Sequence, residues 1–222
     1  MSAVSRMADK NVVILISGRG SNMQALIQAA LPARFAAVVS SVAAAPGLEI
    51  ARRHGVATAI VDHRSYDDRS AFDAALAQEI DRHRPHLVLL AGFMRILTTA
   101  FVHRYEGRIM NIHPSLLPAF PGLHTHRAAL RAGSRVHGCT VHFVTPELDH
   151  GPIVVQAAVP VLPDDTEETL GARVLKEEHR IYPQAVSWFC EDRLRLTAEG
   201  TVTIDRARRT EGVLVSPPME DR

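Results

Sequence analysis

Short apolar segments rich in β-branched residues alternate with helical patterns along the first half of the chain. The predicted strands cover residues 12–16, 35–40, 58–61, 87–91 and 108–112. The predicted helices between them cover residues 22–30, 48–54, 67–84 and 99–104. This β-α-β alternation is typical of a mostly parallel sheet with helices on both faces. The expected fold class is therefore α/β, with a Rossmann-like sheet.

The pattern changes after about residue 134. Residues 136–144 and 153–161 are two further predicted strands, and turn-forming residues lie between them. That arrangement favours an antiparallel pair joined by a loop. A long helix is expected over residues 166–190.

In the earlier helix of residues 67–84, Asp67 is the predicted N-cap.

One domain is expected from the length and composition. The chain has 222 residues, of which 46% are hydrophobic, enough for a single core. We expect a flexible N-terminus over residues 1–10, a domain over residues 11–205 and a loosely packed tail over residues 206–222. The 25 Lys and Arg against 24 Asp and Glu give a formal net charge of +1. This balance gives no reason to expect a nucleic-acid partner.

Cysteine usage and hydropathy favour a cytoplasmic protein. Cys139 and Cys190 are too few for a disulfide framework and lack metal-site spacing. The apolar segment at residues 12–16 is far too short to span a membrane. No membrane association is therefore predicted.

A glycine-containing turn, SGRGSN at residues 17–22, lies between the first predicted strand and the first predicted helix. Glycines there let the backbone approach a ligand, and the new helix offers free N–H groups to a phosphate. Met23 replaces the third glycine of a dinucleotide-binding motif, which favours a single phosphate. A tight turn without any ligand remains the alternative.

An amide and an imidazole stand two residues apart in the segment NIHP at residues 111–114. Pro114 disfavours helical geometry at His113, so the segment should be extended. Asn111 and His113 then project from the same face, with Ile112 buried opposite. Because open α/β sheets place their sites beyond the carboxyl ends of the strands, this pair and the glycine turn should border one cleft.

Asp149 is the third candidate catalytic residue, in the loop between the predicted antiparallel strands. A carboxylate near an imidazole can fix its tautomer, and Asn111 can donate an N–H to an oxyanion. No Ser or Cys nucleophile accompanies these residues, which suggests direct attack by a nucleophile of the substrate. A structural role for His113 and a turn-capping role for Asp149 are the alternatives.

Two other classes of function are considered. Six histidines lie between residues 113 and 150, namely His113, His124, His126, His137, His142 and His150. Their spacing does not define a tetrahedral set, so no metal is predicted, although a metal-dependent hydrolase is an alternative. The second alternative class is a Rossmann-type nucleotide-binding module that catalyses no reaction.

Five segments in this order resemble phosphoribosylglycinamide formyltransferases, the folate-dependent enzymes of purine synthesis. They are GRGSN (18–22), AGFMRIL (91–97), NIHPSLLPAFPGLHTHRAAL (111–130), VHFVTPELDHGPI (141–153) and ARVLKEEHRIYP (172–183). The resemblance implies a formyltransferase fold, small-molecule substrates, 10-formyltetrahydrofolate as co-substrate, no metal, and a monomer or homodimer. A formyltransferase for another amine, or a formyltetrahydrofolate hydrolase, is the nearer alternative.

The resemblance also implies roles by position. The ribonucleotide-binding residues would be Gly20, Ser21 and Asn22 at its phosphate and Glu178 at its ribose and amine end. The folate-binding residues would be Arg69, Met94, Arg95, Ile96, Leu97, Asn111, Thr145 and Leu148. Catalysis would fall to Asn111 and protonated His113, which stabilise the oxyanion, and to Asp149, which helps move the proton.

Two positions depart from the pattern of this family. Arg19 fills a variable position, where it could add a phosphate contact or point to solvent. His150 follows Asp149, where a small residue is common in relatives.

Overall fold

A computed structural model of the chain describes residues 10–208, 211–212, 214 and 216–217. Residues 1–9 of the flexible N-terminus expected over residues 1–10 lie outside the described residues, as do residues 209–210, 213, 215 and 218–222 of the expected tail. Lys10 is the first residue of a strand. Residues 206–208 are exposed and follow the last strand.

The strands and helices occupy nearly the predicted segments. The strands are β1 (Lys10–Ile16), β2 (Ala33–Ser40), β3 (Thr58–Ile60), β4 (Leu87–Leu90), β5 (Ile109–His113), β6 (Val136–Phe143), β7 (Ile153–Pro160), β8 (Leu194–Leu196) and β9 (Val202–Ile204). The helices are α1 (Ser21–Gln28), α2 (Gly47–Arg53), α3 (Arg69–Arg82), α4 (Thr99–Arg104), α5 (Thr125–Arg131) and α6 (Glu167–Cys190). A short 3-10 helix covers His63–Ser65.

The main sheet has the strand order β3-β2-β1-β4-β5-β6-β7. The pairs from β3 to β5 are parallel, whereas β6 is antiparallel to both β5 and β7. The predicted α/β class, with its mostly parallel sheet and antiparallel pair, is confirmed. The separate β8-β9 hairpin and helix α5 were not predicted.

The central strand β1 is buried on both faces of the sheet. Val12, Ile14 and Ile16 enter one apolar cluster, and Val13 and Leu15 enter the other. This alternation follows from the two-residue period of a strand, and the continuous apolar sequence follows from burial on both sides. The site described below therefore rests on a rigid sheet.

Helix α6 ties two strand ends together. The Tyr182 hydroxyl is fully buried and lies 3.1 Å from the Leu90 carbonyl oxygen and 3.0 Å from that of Met110. These carbonyls belong to β4 and β5, so one side chain fixes the spacing of the strands next to the NIHP segment. Burial raises the pKa of Tyr182 well above its usual value.

The N-cap of helix α3 lies one residue later than the predicted N-cap. The Asp68 side chain accepts a hydrogen bond from the Ala71 amide at 2.8 Å, so Asp68, not Asp67, is the N-cap. Both residues are aspartates, and only the observed backbone distinguishes them.

Candidate active site

Two connected depressions lie beyond the carboxyl ends of β1, β4 and β5. The small hollow, about 320 Å³, is lined by residues 17–22, 91, 92 and 94. The large cleft, about 670 Å³, is lined by residues 90, 92–97, 102, 111–114, 122–126, 142 and 144–149. Gly92 and Met94 line both, so a ligand in one depression can contact a ligand in the other.

The glycine turn is held against helix α2. The Gly47 amide donates to the Gly18 carbonyl oxygen at 3.1 Å, and a Cβ on Gly47 would stand 3.3 Å from the Arg19 carbonyl oxygen. Gly20 has φ +77°, and a Cβ there would meet the Gly47 Cα at 3.0 Å. The turn and the first two residues of α1 line the small hollow, and the first N–H groups of a helix have no partner within the helix. Free amides at the positive end of a helix are suited to binding an anion.

A buried polar pair lies behind the small hollow. The Asn22 Nδ2 donates to Glu178 Oε2 at 2.6 Å, and the two residues are 9% and 6% exposed. Burial raises the pKa of Glu178, and the hydrogen bond from Asn22 partly opposes this. The Asn22 Oδ1 atom is buried without a hydrogen-bond partner within the described part of the chain. Polar groups left in this state are costly, which indicates a ligand.

Asn111 and His113 lie on β5 as the sequence predicts, with Ile112 buried between them. The His113 Nε2 lies 3.0 Å from the Phe120 carbonyl oxygen, so this nitrogen carries a proton. The His113 Nδ1 then faces Asp149 Oδ2 at 3.5 Å. That distance exceeds a normal hydrogen bond.

Asp149 reaches the pair from the loop between β6 and β7. It adopts a left-handed backbone with φ +55°. Its Oδ2 accepts the Gly122 amide at 2.8 Å, and its Oδ1 lies 3.8 Å from His142 Nε2. The structure thus brings together the three catalytic residues that the sequence predicts.

His142 is a site residue that sequence reasoning missed. It is the cross-strand partner of Asn111 in the β5-β6 pair. Its Nδ1 donates to the Phe143 carbonyl oxygen at 2.9 Å, which leaves Nε2 to accept from Asn111 Nδ2 at 3.2 Å. Burial, reinforced by His113, lowers the pKa of His142 despite the opposing Phe143 carbonyl and Asp149. Neutral His142 therefore orients the Asn111 side-chain amide, and the second N–H of that amide stays free for a ligand.

Most of the residues expected to bind folate line the large cleft, namely Met94, Arg95, Ile96, Leu97, Asn111, Thr145 and Leu148. Met94 and Ile96 are 58% and 55% exposed, and the unpredicted Leu123 is 75% exposed. Exposed apolar side chains around a cleft are suited to a flat, largely apolar ligand. Arg69 is exposed at the first position of α3 and does not line the cleft.

The two departures from the family pattern have different surroundings. His150 Nδ1 donates to the Leu148 carbonyl oxygen at 2.8 Å, so this ring bonds within its own loop. Arg19 is exposed and lines the small hollow.

A histidine pair accounts for part of the histidine-rich segment. His126 Nδ1 and His137 Nε2 are 3.1 Å apart, and burial lowers the pKa of both residues, that of His137 to about 4. Within residues 10–208 and the few described beyond them, His, Cys, Asp and Glu do not form a group of three or more that could hold a metal ion.

We expect the stability of the protein to fall below neutral pH because of His137. Unfolded histidine titrates near pH 6.5, whereas folded His137 stays neutral to about pH 4. The unfolded state therefore binds the proton first, so this stabilisation is complete above about pH 6.5 and is lost as the pH falls. Its full size is about 3 kcal/mol.

Urea unfolding of wild type and His137→Gln at pH 7 and pH 4.5 measures this dependence. The variant should show a smaller loss of unfolding free energy between the two pH values. His103→Gln, on the exposed face of α4, serves as the control. An equal loss in all three proteins would contradict the assignment to His137.

Comparison with known proteins gives the family. The formyl transferase family (Formyl_trans_N) matches residues 10–186, which is most of the chain. The chain belongs to this formyl transferase family. This formyltransferase is 53% identical over 190 residues to phosphoribosylglycinamide formyltransferase of Escherichia coli, covering 84% of the chain and 90% of the relative. It is 42% identical to the protein of the same name from Haemophilus influenzae, over 84% and 90%.

The solved structures agree with this assignment. Glycinamide ribonucleotide transformylase 1 from Symbiobacterium toebii superposes with a TM-score of 0.86 at 49% identity, covering 89% of this formyltransferase and 94% of that chain. The resemblance noted from the sequence is thereby confirmed. Among the helices described for this formyltransferase, none is long and apolar enough to cross a membrane.

Proposed function

We propose that this formyltransferase transfers the formyl group of 10-formyltetrahydrofolate to the amino group of glycinamide ribonucleotide, a step of purine biosynthesis. The observation that carries the proposal is the junction of the two depressions. An anion-binding hollow opens at Gly92 and Met94 into a cleft that contains Asn111, His113 and Asp149. The 53% identity to a phosphoribosylglycinamide formyltransferase supports the choice of substrates.

The small hollow is assigned to the ribonucleotide. The amides of Gly20, Ser21 and Asn22 hold its phosphate at the start of α1. Glu178 binds the ribose and the amine end, where its carboxyl group can accept hydrogen bonds. The orphaned Asn22 oxygen is the second acceptor available there.

The large cleft is assigned to the folate co-substrate. The flat pterin is walled by Met94, Arg95, Ile96 and Leu97, whose exposed apolar members give the ring a surface to pack on. Thr145 and Leu148 close over it from the β6-β7 loop. Arg69, outside the cleft at the start of α3, meets the anionic benzoyl-glutamate tail.

The chemistry is a direct acyl transfer. The primary amine attacks the formyl carbon, and the carbonyl electrons move to oxygen. The free N–H of Asn111 and the charged imidazole of His113 stabilise this oxyanion. Asp149, through water, takes a proton from the attacking nitrogen and returns one to the departing folate nitrogen as the old C–N bond breaks. Holding both reactants in joined depressions supplies much of the rate by orientation.

No metal is required by this sequence of steps, and the substrates are small molecules. We place the reaction in the cytoplasm, where the reduced cysteines fit, and we propose a monomer or homodimer. The expected domain over residues 11–205 contains every residue named in the reaction.

Acceptor dependence tests the proposal. Formation of deformylated folate is followed by absorbance with and without glycinamide ribonucleotide. We expect turnover only with the acceptor. Formate release without it would indicate a hydrolase, and activity confined to another amine would indicate a formyltransferase of different specificity; either result would overturn the proposal.

A further inference from the structure

The small hollow contains one charged side chain that the proposed reaction does not use. Arg19 lines the hollow, is exposed, and makes neither an ion pair nor a side-chain hydrogen bond with the part of the chain that the structure describes. Its carbonyl oxygen lies toward Gly47 of helix α2. The guanidinium is thus a free cation at the wall of an anion-binding hollow.

The charges around this hollow leave a place for such a cation. The amides at the start of α1 offer roughly half a positive charge, whereas a phosphate monoester carries nearly two negative charges. The Glu178 carboxyl group, which accepts a hydrogen bond from Asn22, adds no positive charge. A phosphate held by the amides alone would therefore be only partly neutralised.

A second observation points to a ligand in the same place. The Asn22 Oδ1 atom is buried and lacks a hydrogen-bond partner among the described residues, and Asn22 lines the hollow next to the free amides. A substrate that carries hydroxyl or amine donors beside its phosphate would satisfy this oxygen while the phosphate occupies the amides. Such a ligand would extend along the wall that Arg19 forms.

We infer that Arg19 is a specificity-determining residue that binds the phosphate of the acceptor and selects phosphorylated over unphosphorylated amines. This inference rests on the proposed function of the site. The planar guanidinium can donate two parallel hydrogen bonds to phosphate oxygens, a geometry that a backbone amide cannot supply. Since Arg19 is exposed in the free protein, its contribution comes only with the ligand and is reduced by salt.

The test removes the cation and the phosphate separately. Arg19→Gln, Arg19→Lys and wild type are assayed with glycinamide ribonucleotide and with glycinamide riboside, which lacks the phosphate. Arg34→Gln is the matched control, because Arg34 is exposed near the amino end of β2, whereas the small hollow lies beyond the carboxyl ends of the strands. Each assay is run at low and at high ionic strength.

We expect Arg19→Gln to raise the KM for the ribonucleotide about three- to tenfold at low salt, with kcat within about twofold of wild type. High salt should shrink the difference, and Arg19→Lys should recover part of it. The efficiency with the riboside should be the same in wild type and Arg19→Gln.

Two outcomes would overturn the inference. One is a KM for the ribonucleotide in Arg19→Gln that matches that of Arg34→Gln. The other is an equal loss with riboside and ribonucleotide, which would mean that Arg19 acts on the loop and not on the phosphate. In both cases wild type still transfers the formyl group, whereas an inactive wild type would reject the proposed function itself.

Discussion

Replacing His113 with alanine is expected to lower the acceptor-dependent kcat about a thousandfold while the fold is retained. The substitution removes a group that stabilises the oxyanion, a role worth roughly a hundred- to a thousandfold, and it also removes the partner of the proton-moving Asp149. The structural loss consists of one hydrogen bond with the Phe120 carbonyl, the contact with the Asp149 carboxylate and a small cavity. Steady-state kinetics with both substrates saturating, together with a thermal unfolding curve, measure the two effects.

Asn111→Ala is the companion variant, with an expected loss of about a hundredfold or more. Because both side chains act on one oxyanion, the double variant should lose less than the product of the two single losses. His103→Ala, on the exposed face of α4, controls for loss of a histidine elsewhere. Near-wild-type turnover in either single variant would contradict the role of that residue in stabilising the oxyanion.

The position of this pair could be predicted from the sequence because it depends on local rules. Pro114 excludes helix at His113, and the two-residue period of an extended chain places Asn111 on the same face. The preceding strand, β4, is a continuous apolar run, as expected for a parallel sheet that is buried on both sides. These constraints act within a few residues, so they do not depend on how the rest of the chain folds.

Other parts of the site depend on contacts distant in sequence. His142 meets Asn111 only because β5 and β6 pair in one register, and a shift of one residue would turn His142 away. An alternation of buried polar residues in β6, with His142 two positions after Thr140, was the available signal, but it does not give the register. Likewise, the Gly122 amide reaches Asp149 from 27 positions away.

The elements that were missed are short and lack sequence signals. Helix α5 has seven residues and begins after His124, which has a left-handed backbone and provides no side-chain cap. Strands β8 and β9 have three residues each. Strand β3 and helix α4 are as short but were predicted, because they belong to the regular β-α-β alternation. The missed elements lie outside that alternation, and packing decides their conformation, α5 against α6 and β9 against β7.

Gly151→Ala is expected to lower turnover at least a hundredfold and to cost about 2–4 kcal/mol of unfolding free energy. A Cβ on Gly151 would lie 1.7 Å from the Phe143 carbonyl oxygen and 2.8 Å from its carbon. Neither backbone can yield without moving the turn, because the Phe143 amide donates to the Pro152 carbonyl at 2.9 Å. The loop must shift, and Asp149 moves with it.

Asp149→Asn separates the two consequences of that shift. An asparagine keeps the shape and can still accept the Gly122 amide, so the loop should stay in place and stability should be nearly unchanged. The carboxylate that faces His113 is gone, and turnover should fall about as far as in Gly151→Ala. Gly133→Ala is the control for backbone strain without a clash, since Gly133 has a positive φ but no atom within 4 Å of its Cβ position; it should lose some stability and keep wild-type turnover.

The three variants are compared by chemical denaturation and by kinetics with saturating substrates, so that the effects on stability and on kcat are measured separately. A low kcat in both Gly151→Ala and Asp149→Asn, with instability only in the first, is the expected result. Wild-type turnover in Gly151→Ala would mean that the catalytic carboxylate tolerates displacement of its loop. The left-handed backbone of Asp149 argues against that tolerance, because its strain persists only where surrounding contacts hold the residue in one position.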